Sequence, residues 1–471
     1  MEQFIMYAAA IIAVVIIVFM LIKKMDIKIS LFAIGIALMF IAMAMGRSIA
    51  FKDFESTGFW LLDPLKAIGE QFKSTLSSAG FIILILGGYS AYMTHIGAND
   101  VTVSVLTKPI KKIKSVYILV PIVFLLGNLL SLVIPSASNL AIILLATLFP
   151  VLRSAGMSTL TAAAIIATTA TVMPTPLGSD NVAIAQELAK YPEYAGMTVT
   201  DYVIRYHAMV SLPTLGFMAV VHYFWQKFMD KKAIAKAGEN EEIKLDEVKK
   251  IEGGILFKTV YAILPVFPIL LLIAAYLIKS PIDLSVETAS ILSFILAIIC
   301  ELFRYKGKKN KEVLTGTDHF FKGMAGGMGI VALLVAASIF VVGLKSIGLI
   351  DTLQTTMLNT QGTGMGIILP ILLVGITVLI VLLSGSGTAL FFAMVPLMVP
   401  LAQAAGISAV ALSIPMGLAG NLMRAVSPVA AVTIIVAGSV KKTPLDIVKR
   451  TSVPMIAGVI LMMILSLVMF L

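Results

Sequence analysis

Long apolar runs, separated by short polar segments, make up most of the chain. Runs near the ~20 residues that a helix needs to cross a bilayer predict full spans. These lie at about residues 4–22, 30–46, 80–97, 202–226, 259–278, 287–303, 323–344 and 452–471. The mixed-charge segment 47–79 between two of them predicts an interfacial arm. Together with the interrupted stretches described next, these eight runs predict an all-α polytopic membrane protein with about ten full spans.

Other apolar stretches are interrupted before they could cross a bilayer. Two pairs of short runs predict re-entrant hairpins at 116–153 and 365–404. Two further stretches, 157–190 and 407–437, predict broken helices. Non-helical backbone at membrane depth is tolerated only where protein or a water-filled cavity surrounds it. We therefore expect these interruptions to hold something polar.

The polar interruptions recur at a spacing of 250 residues. The sequence LLSGSGT occupies 382–388 and GNLMRAVSP occupies 420–428; their counterparts are SASN at 136–139 and TVMPTPLGSDN at 171–181. Interrupted apolar segments at matching positions of two halves are typical of a transporter binding site. The chain therefore divides into a first repeat (1–228), a cytoplasmic linker (229–257) and a second repeat (258–471).

Composition and charge support a membrane location. Of 471 residues, 59% are hydrophobic and 13% are charged, with a mean hydropathy of +1.03, whereas soluble domains carry about 25% charged residues. The net charge of +10 comes from lysines and arginines in short loops, so we expect a lipid bilayer and no nucleic acid as partner. The single Cys300 allows no intramolecular disulfide, and we expect no bound cofactor.

The loop charges also predict an orientation. If the segments 23–28, 108–114, 153, 227–258, 304–322 and 441–450 are cytoplasmic, they hold 26 of the 35 lysines and arginines, as the positive-inside rule requires. Both termini are then periplasmic. The first hairpin (116–153) opens from the cytoplasm and the second (365–404) from outside, so the two repeats are inverted.

Several longer motifs resemble one known family. They are GYSAYMTHIGAND (88–100), ATLFPV (146–151), HYFWQKFMDKK (222–232), SGSG (384–387), NLMRAVSPV (421–429) and VKRTSVP (448–454). Together they resemble the DcuC-type anaerobic C4-dicarboxylate carriers of the ion-transporter superfamily, over about residue 30 to the C-terminus. The resemblance implies a homodimeric elevator-type carrier in a bacterial inner membrane, which moves succinate, fumarate and malate by cation-coupled symport, exchange or efflux.

Candidate substrate ligands lie at the hairpin tips and helix breaks. A helix N-terminus presents free N–H groups and a partial positive charge, which favour an anion. The tips add polar groups and glycines that allow close backbone approach: Ser136, Ser138 and Asn139 in the first, and Ser384, Gly385, Ser386, Gly387 and Thr388 in the second. The alternative is that these residues serve only as helix caps and small packing residues.

The breaks contribute the charged candidates. Arg424 could bind a substrate carboxylate with two hydrogen bonds, or form a structural ion pair with Asp180. Asp180, with Ser179 and Asn181, is the candidate site for a coupling ion, sodium or a proton. Thr171, Asn421 and Ser427 are further substrate candidates. The histidines His207, His222 and His319 are assigned no role.

Other functions remain open at this point. The same fold could carry citrate, a monocarboxylate or an amino acid. An intramembrane hydrolase using Ser386 would need a base at matching depth, and the nearest lysine, Lys345, is predicted at the membrane edge. The chain has no GxxxxGK[ST] motif, which argues against ATP-driven transport.

Overall fold

The computed structural model of the protein describes residues 2–23, 25–51, 53–108, 110, 113, 115–234, 254–278, 282, 284–306, 308–349, 352, 365–385 and 387–471. All regular structure in these ranges is helical. The helices are α1 (Glu2–Ile22), α2 (Ile27–Ala44), α3 (Asp63–His95), α4 (Ala98–Thr107), α5 (Val116–Leu130), α6 (Ala137–Thr147), α7 (Phe149–Ser154), α8 (Thr159–Ala167), α9 (Ser179–Leu188), α10 (Val199–Ala233), α11 (Ile255–Leu277), α12 (Val286–Arg304), α13 (Asn310–Ser346), α14 (Met365–Ser384), α15 (Gly387–Ala404), α16 (Ala409–Arg424), α17 (Ala431–Ser439) and α18 (Pro444–Phe470).

Seven helices of the described ranges are long and apolar enough to cross a bilayer: α2, α3, α10, α11, α12, α13 and α18. Shorter apolar helices occupy the ranges predicted as hairpins, among them α5 and α6. This agrees with the predicted α-helical polytopic membrane protein. The expected number of about ten full spans stays a prediction, because helix length alone does not place the shorter segments in a membrane.

The third helix is longer than the sequence pattern predicts. It begins at Asp63, so the segment predicted as an interfacial arm is helical over its second half. The amphipathic part joins the apolar part through a π-helical turn at Leu76–Gly80 with a kink at Ser78. A Cβ atom at Gly80 would lie 2.7 Å from the carbonyl oxygen of Thr75, so the kink depends on glycine there.

The interrupted segments have the short helices that their apolar runs predict. In the first predicted repeat, α5 and α6 are joined by residues 131–136, and α8 is separated from α9 by residues 168–178. In the second predicted repeat, α14 and α15 are joined by residues 385–386, and α16 is separated from α17 by residues 425–430. Both predicted hairpins and both predicted breaks therefore coincide with helix ends.

Local backbone features recur at the spacing found in the sequence. Gly156 and Gly406 both adopt positive φ angles, of 88° and 66°, as expected for glycine just after a helix. Two residues further on, Ser158 and Ser408 each cap the next helix with the side-chain oxygen. The two halves thus share the same local design between hairpin and broken helix.

Two sets of contacts hold the helices around these breaks. Helices α3 and α13 pack at backbone distance: a Cβ atom at Gly87 would lie 2.8 Å from the carbonyl oxygen of Gly323. On the other side, Arg450 of α18 donates to Asp230 of α10 over 2.6 Å and to Thr161 of α8 over 3.1 Å. Both members of this ion pair are buried. The first broken helix is thereby fixed to two long helices.

Candidate functional site

Two cavities adjoin between the first hairpin, the first break and their neighbours. The larger, of about 600 Å³, lies against α3 and α13. The smaller, of about 130 Å³, lies between the two breaks and has room for several water molecules. The lining residues that they share are Ser131, Pro135, Thr175 and Ser179. We call the larger cavity the outer cavity and the smaller one the inner chamber.

A buried asparagine makes hydrogen bonds to the backbone of the first break. Asn128 of α5 is fully buried, and its side-chain oxygen accepts hydrogen bonds from the backbone N–H (3.1 Å) and hydroxyl (2.8 Å) of Thr171. Its amide nitrogen donates to the carbonyl oxygens of Phe124 and Thr168. Backbone groups that the break frees from the helix are therefore satisfied by a side chain of the hairpin.

The second half of the break is stabilised by hydrogen bonds between its own residues. Asn181 donates from its side chain to the carbonyl oxygen of Thr175 over 2.9 Å. Asp180 lies in the first turn of α9 and accepts from the backbone N–H of Asn181. A carboxylate in the first turn of a helix is favoured by the helix dipole. The Asp180 carboxylate is held at the edge of the inner chamber.

Arg424 reaches the same chamber from the second break. Its guanidinium donates to the carbonyl oxygen of Ala170 over 2.7 Å, and Asn421, one turn earlier, donates to Asp180 over 3.0 Å. Among the described residues, no ion pair within 4.0 Å joins Arg424 to Asp180. In the described residues each charge has a neutral hydrogen-bond partner instead: the Ala170 carbonyl accepts from Arg424, and the Asn421 amide donates to Asp180.

The second hairpin tip is closed against the second break. Gly385 has a φ of 74°, and a Cβ atom there would lie 2.7 Å from the carbonyl oxygen of Val429. At Gly387 it would lie 2.2 Å from the carbonyl oxygen of Gly420. Ser427 completes the contact by donating to the carbonyl oxygen of Leu382 over 3.0 Å. Only glycine permits this backbone approach.

The residues predicted from the sequence fall into three groups. Those that line the outer cavity are Ser136, Asn139 and Ser179, and those that line the inner chamber are Thr171, Ser179, Asp180, Asn421 and Arg424. Those that line neither are Ser138, Asn181, Gly385, Gly387 and Ser427. Ser386 lies outside the described residues, as do the side chains of Ser384 and Thr388. The oxygen of Ser136 caps α6 by accepting from the backbone of Asn139.

The structure adds residues that the sequence interpretation missed. His207, which was assigned no role, is buried beside Ser211 and lines the inner chamber with Asp180. Phe391 and Phe392 of α15 form an apolar wall of the same chamber. Asn128 had a usable signal, because a polar residue within an apolar membrane segment marks a functional position. His207 had none, because only packing brings α10 to the break.

The long apolar helices define a multi-pass α-helical membrane protein, and the chamber places a charged pair of residues among them. The sequence model of the C4-dicarboxylate anaerobic carrier family matches residues 6–471, so the chain belongs to that family. The anaerobic C4-dicarboxylate transporter DcuC of Escherichia coli K12 is 34% identical over 435 residues, 92% of this chain and 90% of the relative. A probable transporter of the same name from Vibrio cholerae is 34% identical over 437 residues, 91% and 90% of the two chains. The resemblance found in the motifs is confirmed.

Two solved structures share the fold. Neisseria gonorrhoeae MtrF, of a class of antimetabolite efflux pumps, aligns with a TM-score of 0.62 at 15% identity, over 93% of this chain and 94% of its own. The Alcanivorax borkumensis YdaH transporter, described as having an unusual topology, aligns with the same score and identity, over 93% and 97%. At this identity the likeness concerns the fold alone.

Proposed function

We propose that this protein is a secondary carrier of C4-dicarboxylates such as succinate, fumarate and malate. The observation that carries the proposal is the half-buried Arg424, which lines a small chamber where the two helix breaks meet. The names of its relatives supply the substrate class. Because the family consists of carriers, the hydrolase alternative at Ser386 is abandoned.

The chamber suits one carboxylate at a time. Arg424 uses one donor on the Ala170 carbonyl, and its planar fork has further N–H groups for a two-pronged contact with a carboxylate. Thr171 and Asn421 supply neutral polar groups beside it. The other substrate carboxylate extends toward the first hairpin tip, where Ser136 and Asn139 line the outer cavity. We propose a lesser role for Ser138 and for the second tip, 384–388, because Gly385 and Gly387 pack against the second break.

Charge balance supports a coupling cation at Asp180. The described residues that line the chamber include one arginine and one aspartate, whose charges cancel, so the two negative charges of a bound dianion are left uncompensated. A dianion moved alone against a 100 mV inside-negative potential costs roughly 2 × 2.3 kcal/mol. A sodium ion or a proton bound at Asp180, beside Ser179 and Asn181, removes the carboxylate charge during transport. Exchange for a second dianion achieves the same balance.

The two hairpins differ in a way that supports alternating access. The second tip is packed backbone to backbone against its break, whereas the first tip faces the 600 Å³ outer cavity. We propose that the repeats 1–228 and 258–471 are inverted and exchange these arrangements in an elevator-type movement. Within the linker 229–257, residues 235–253 lie outside the described residues.

The setting of the carrier rests on loop charge and on the family. We propose an inner-membrane location with both termini periplasmic, because the basic loops otherwise fall on the wrong side. We also propose a homodimer, which light scattering of the detergent-solubilised protein tests. A monomer in gentle detergent and in crosslinked native membranes contradicts the dimer without affecting the transport proposal.

Proteoliposomes loaded with defined ions test the function. Labelled succinate uptake should require an inward sodium or proton gradient, or internal unlabelled dicarboxylate. Citrate, a monocarboxylate and a neutral amino acid serve as competing substrates in parallel. If one of these three compounds inhibits uptake more strongly than fumarate or malate does, that compound replaces C4-dicarboxylates as the proposed substrate. Protein-free liposomes and liposomes with the Arg424→Ala variant are the controls.

A further inference from the structure

The outer cavity differs chemically from the inner chamber. Of the described residues that line the outer cavity, none is charged; its polar groups are hydroxyls and an amide, such as Ser90, Thr94 and Asn139. The inner chamber holds the charged pair Arg424 and Asp180. The two spaces touch at four shared residues, two from the first hairpin tip and two from the first break. A large neutral space therefore adjoins a small charged one.

We propose that the outer cavity is the vestibule through which an organic anion reaches the inner chamber. The inference rests on the proposed carrier function and adds a route and a constriction. The constriction is the ring of Ser131, Pro135, Thr175 and Ser179. The outer cavity has no charged lining among the described residues, so an anion is held more strongly at the arginine, where charged hydrogen bonds form.

One glycine keeps this vestibule open. On α13, Gly323 cannot accept a side chain, because a Cβ atom there would lie 2.4 Å from the Cβ of Ala91. Gly326 also lines the cavity, but a Cβ atom there would meet nothing within 4 Å. Packing against α3 thus explains the first glycine and does not explain the second. We infer that Gly326 is a vestibule residue and that a large side chain there fills the passage.

Paired tryptophan variants test the route. Gly326→Trp places a ring in the vestibule. Gly329→Trp is the matched control, because a Cβ atom at Gly329 also meets nothing within 4 Å and this glycine lines neither cavity. We expect Gly326→Trp to lose succinate transport and Gly329→Trp to keep it, with equal melting temperatures. Equal transport by the two folded variants would overturn the vestibule.

A smaller change provides a second test that does not depend on transport. In a Cys300→Ala background, Ser90→Cys puts a thiol on the vestibule wall, and Ser293→Cys puts one at a fully buried serine of α12. A membrane-impermeant methanethiosulfonate reagent should modify the first from one membrane face only, the cytoplasmic one, and leave the second unmodified. Adding Gly326→Trp should slow the first reaction.

The two tests separate the proposals. If Ser90→Cys reacts with the reagent from neither face, the cavity is not open to solvent and the vestibule is overturned. If the unsubstituted protein neither binds nor transports succinate while Ser90→Cys reacts as expected, the proposed substrate is wrong and the route stands for another anion.

Discussion

Replacing Arg424 by alanine should remove most of the affinity for succinate. Among the described residues the guanidinium makes one hydrogen bond, 2.7 Å to the carbonyl oxygen of Ala170, so its other donors are available to a substrate. Truncating one partner of a buried charged pair costs about 2–5 kcal/mol. At 1.4 kcal/mol per tenfold, affinity should fall by about thirty-fold to several thousand-fold. Arg424→Lys should be nearly as damaging, because lysine makes no two-pronged contact.

The assay is succinate binding to detergent-purified protein by calorimetry, with melting temperature as the test of folding. Arg47→Ala is a suitable control: Arg47 donates over 2.8 Å to a backbone carbonyl, that of Ile347, and lines neither cavity. Its loss should leave succinate affinity unchanged. Affinity of Arg424→Ala within about threefold of the unsubstituted protein, the range of an ordinary surface substitution, refutes direct contact. Recovery of binding on adding Asp180→Asn would show that Arg424 only balances the aspartate.

Three further outcomes are expected. Gly387→Ala should destabilise the closed second hairpin by about 1–3 kcal/mol and impair succinate uptake, because its Cβ would lie 2.2 Å from the Gly420 carbonyl oxygen. Gly420→Ala is the milder control in the same uptake assay, because the nearest contact of its Cβ is 3.3 Å. Arg450→Ala should lower the unfolding free energy by about 3–5 kcal/mol, because buried Asp230 loses its partner; adding Asp230→Asn should restore much of the melting temperature, and failure to do so contradicts the pairing. Asn128→Leu should cost about 1–3 kcal/mol for each backbone group left unsatisfied, with reduced transport; unchanged stability would mean that the break holds without it.

Arg450, which is buried, and Arg424, which is half-buried, illustrate two uses of charge inside the protein. Arg450 has three side-chain acceptors, on Thr161, Gln226 and Asp230. All three bonds come from its Nη1 atom, and Asp230 forms a buried ion pair with it, so the charge of Arg450 is already neutralised within the protein. Within the described part of the chain, Arg424 has one hydrogen-bond partner, the Ala170 carbonyl, so its remaining N–H groups can bind an anion.

The sequence by itself determined the class of protein and the positions of the interruptions. Apolar runs of the length of a bilayer predict a membrane protein, and their interruptions by glycine, proline and serine coincide with the helix ends at 131–136, 168–178, 385–386 and 425–430. These are local properties, since a helix ends where its own residues cap it or free its backbone. The glycine turns at Gly156 and Gly406 follow from the same rule.

Only the tertiary structure decided what surrounds those interruptions. Asn128 meets Thr171 across 43 residues, and Arg424 meets Ala170 across 254. His207 comes from a helix whose pattern shows only burial. Which polar group faces which break depends on how the helices pack, and helix periodicity does not encode a partner. The second tip packs against its break, whereas the first tip faces a cavity. This difference is likewise a property of packing, because the 250-residue spacing predicts equivalent tips.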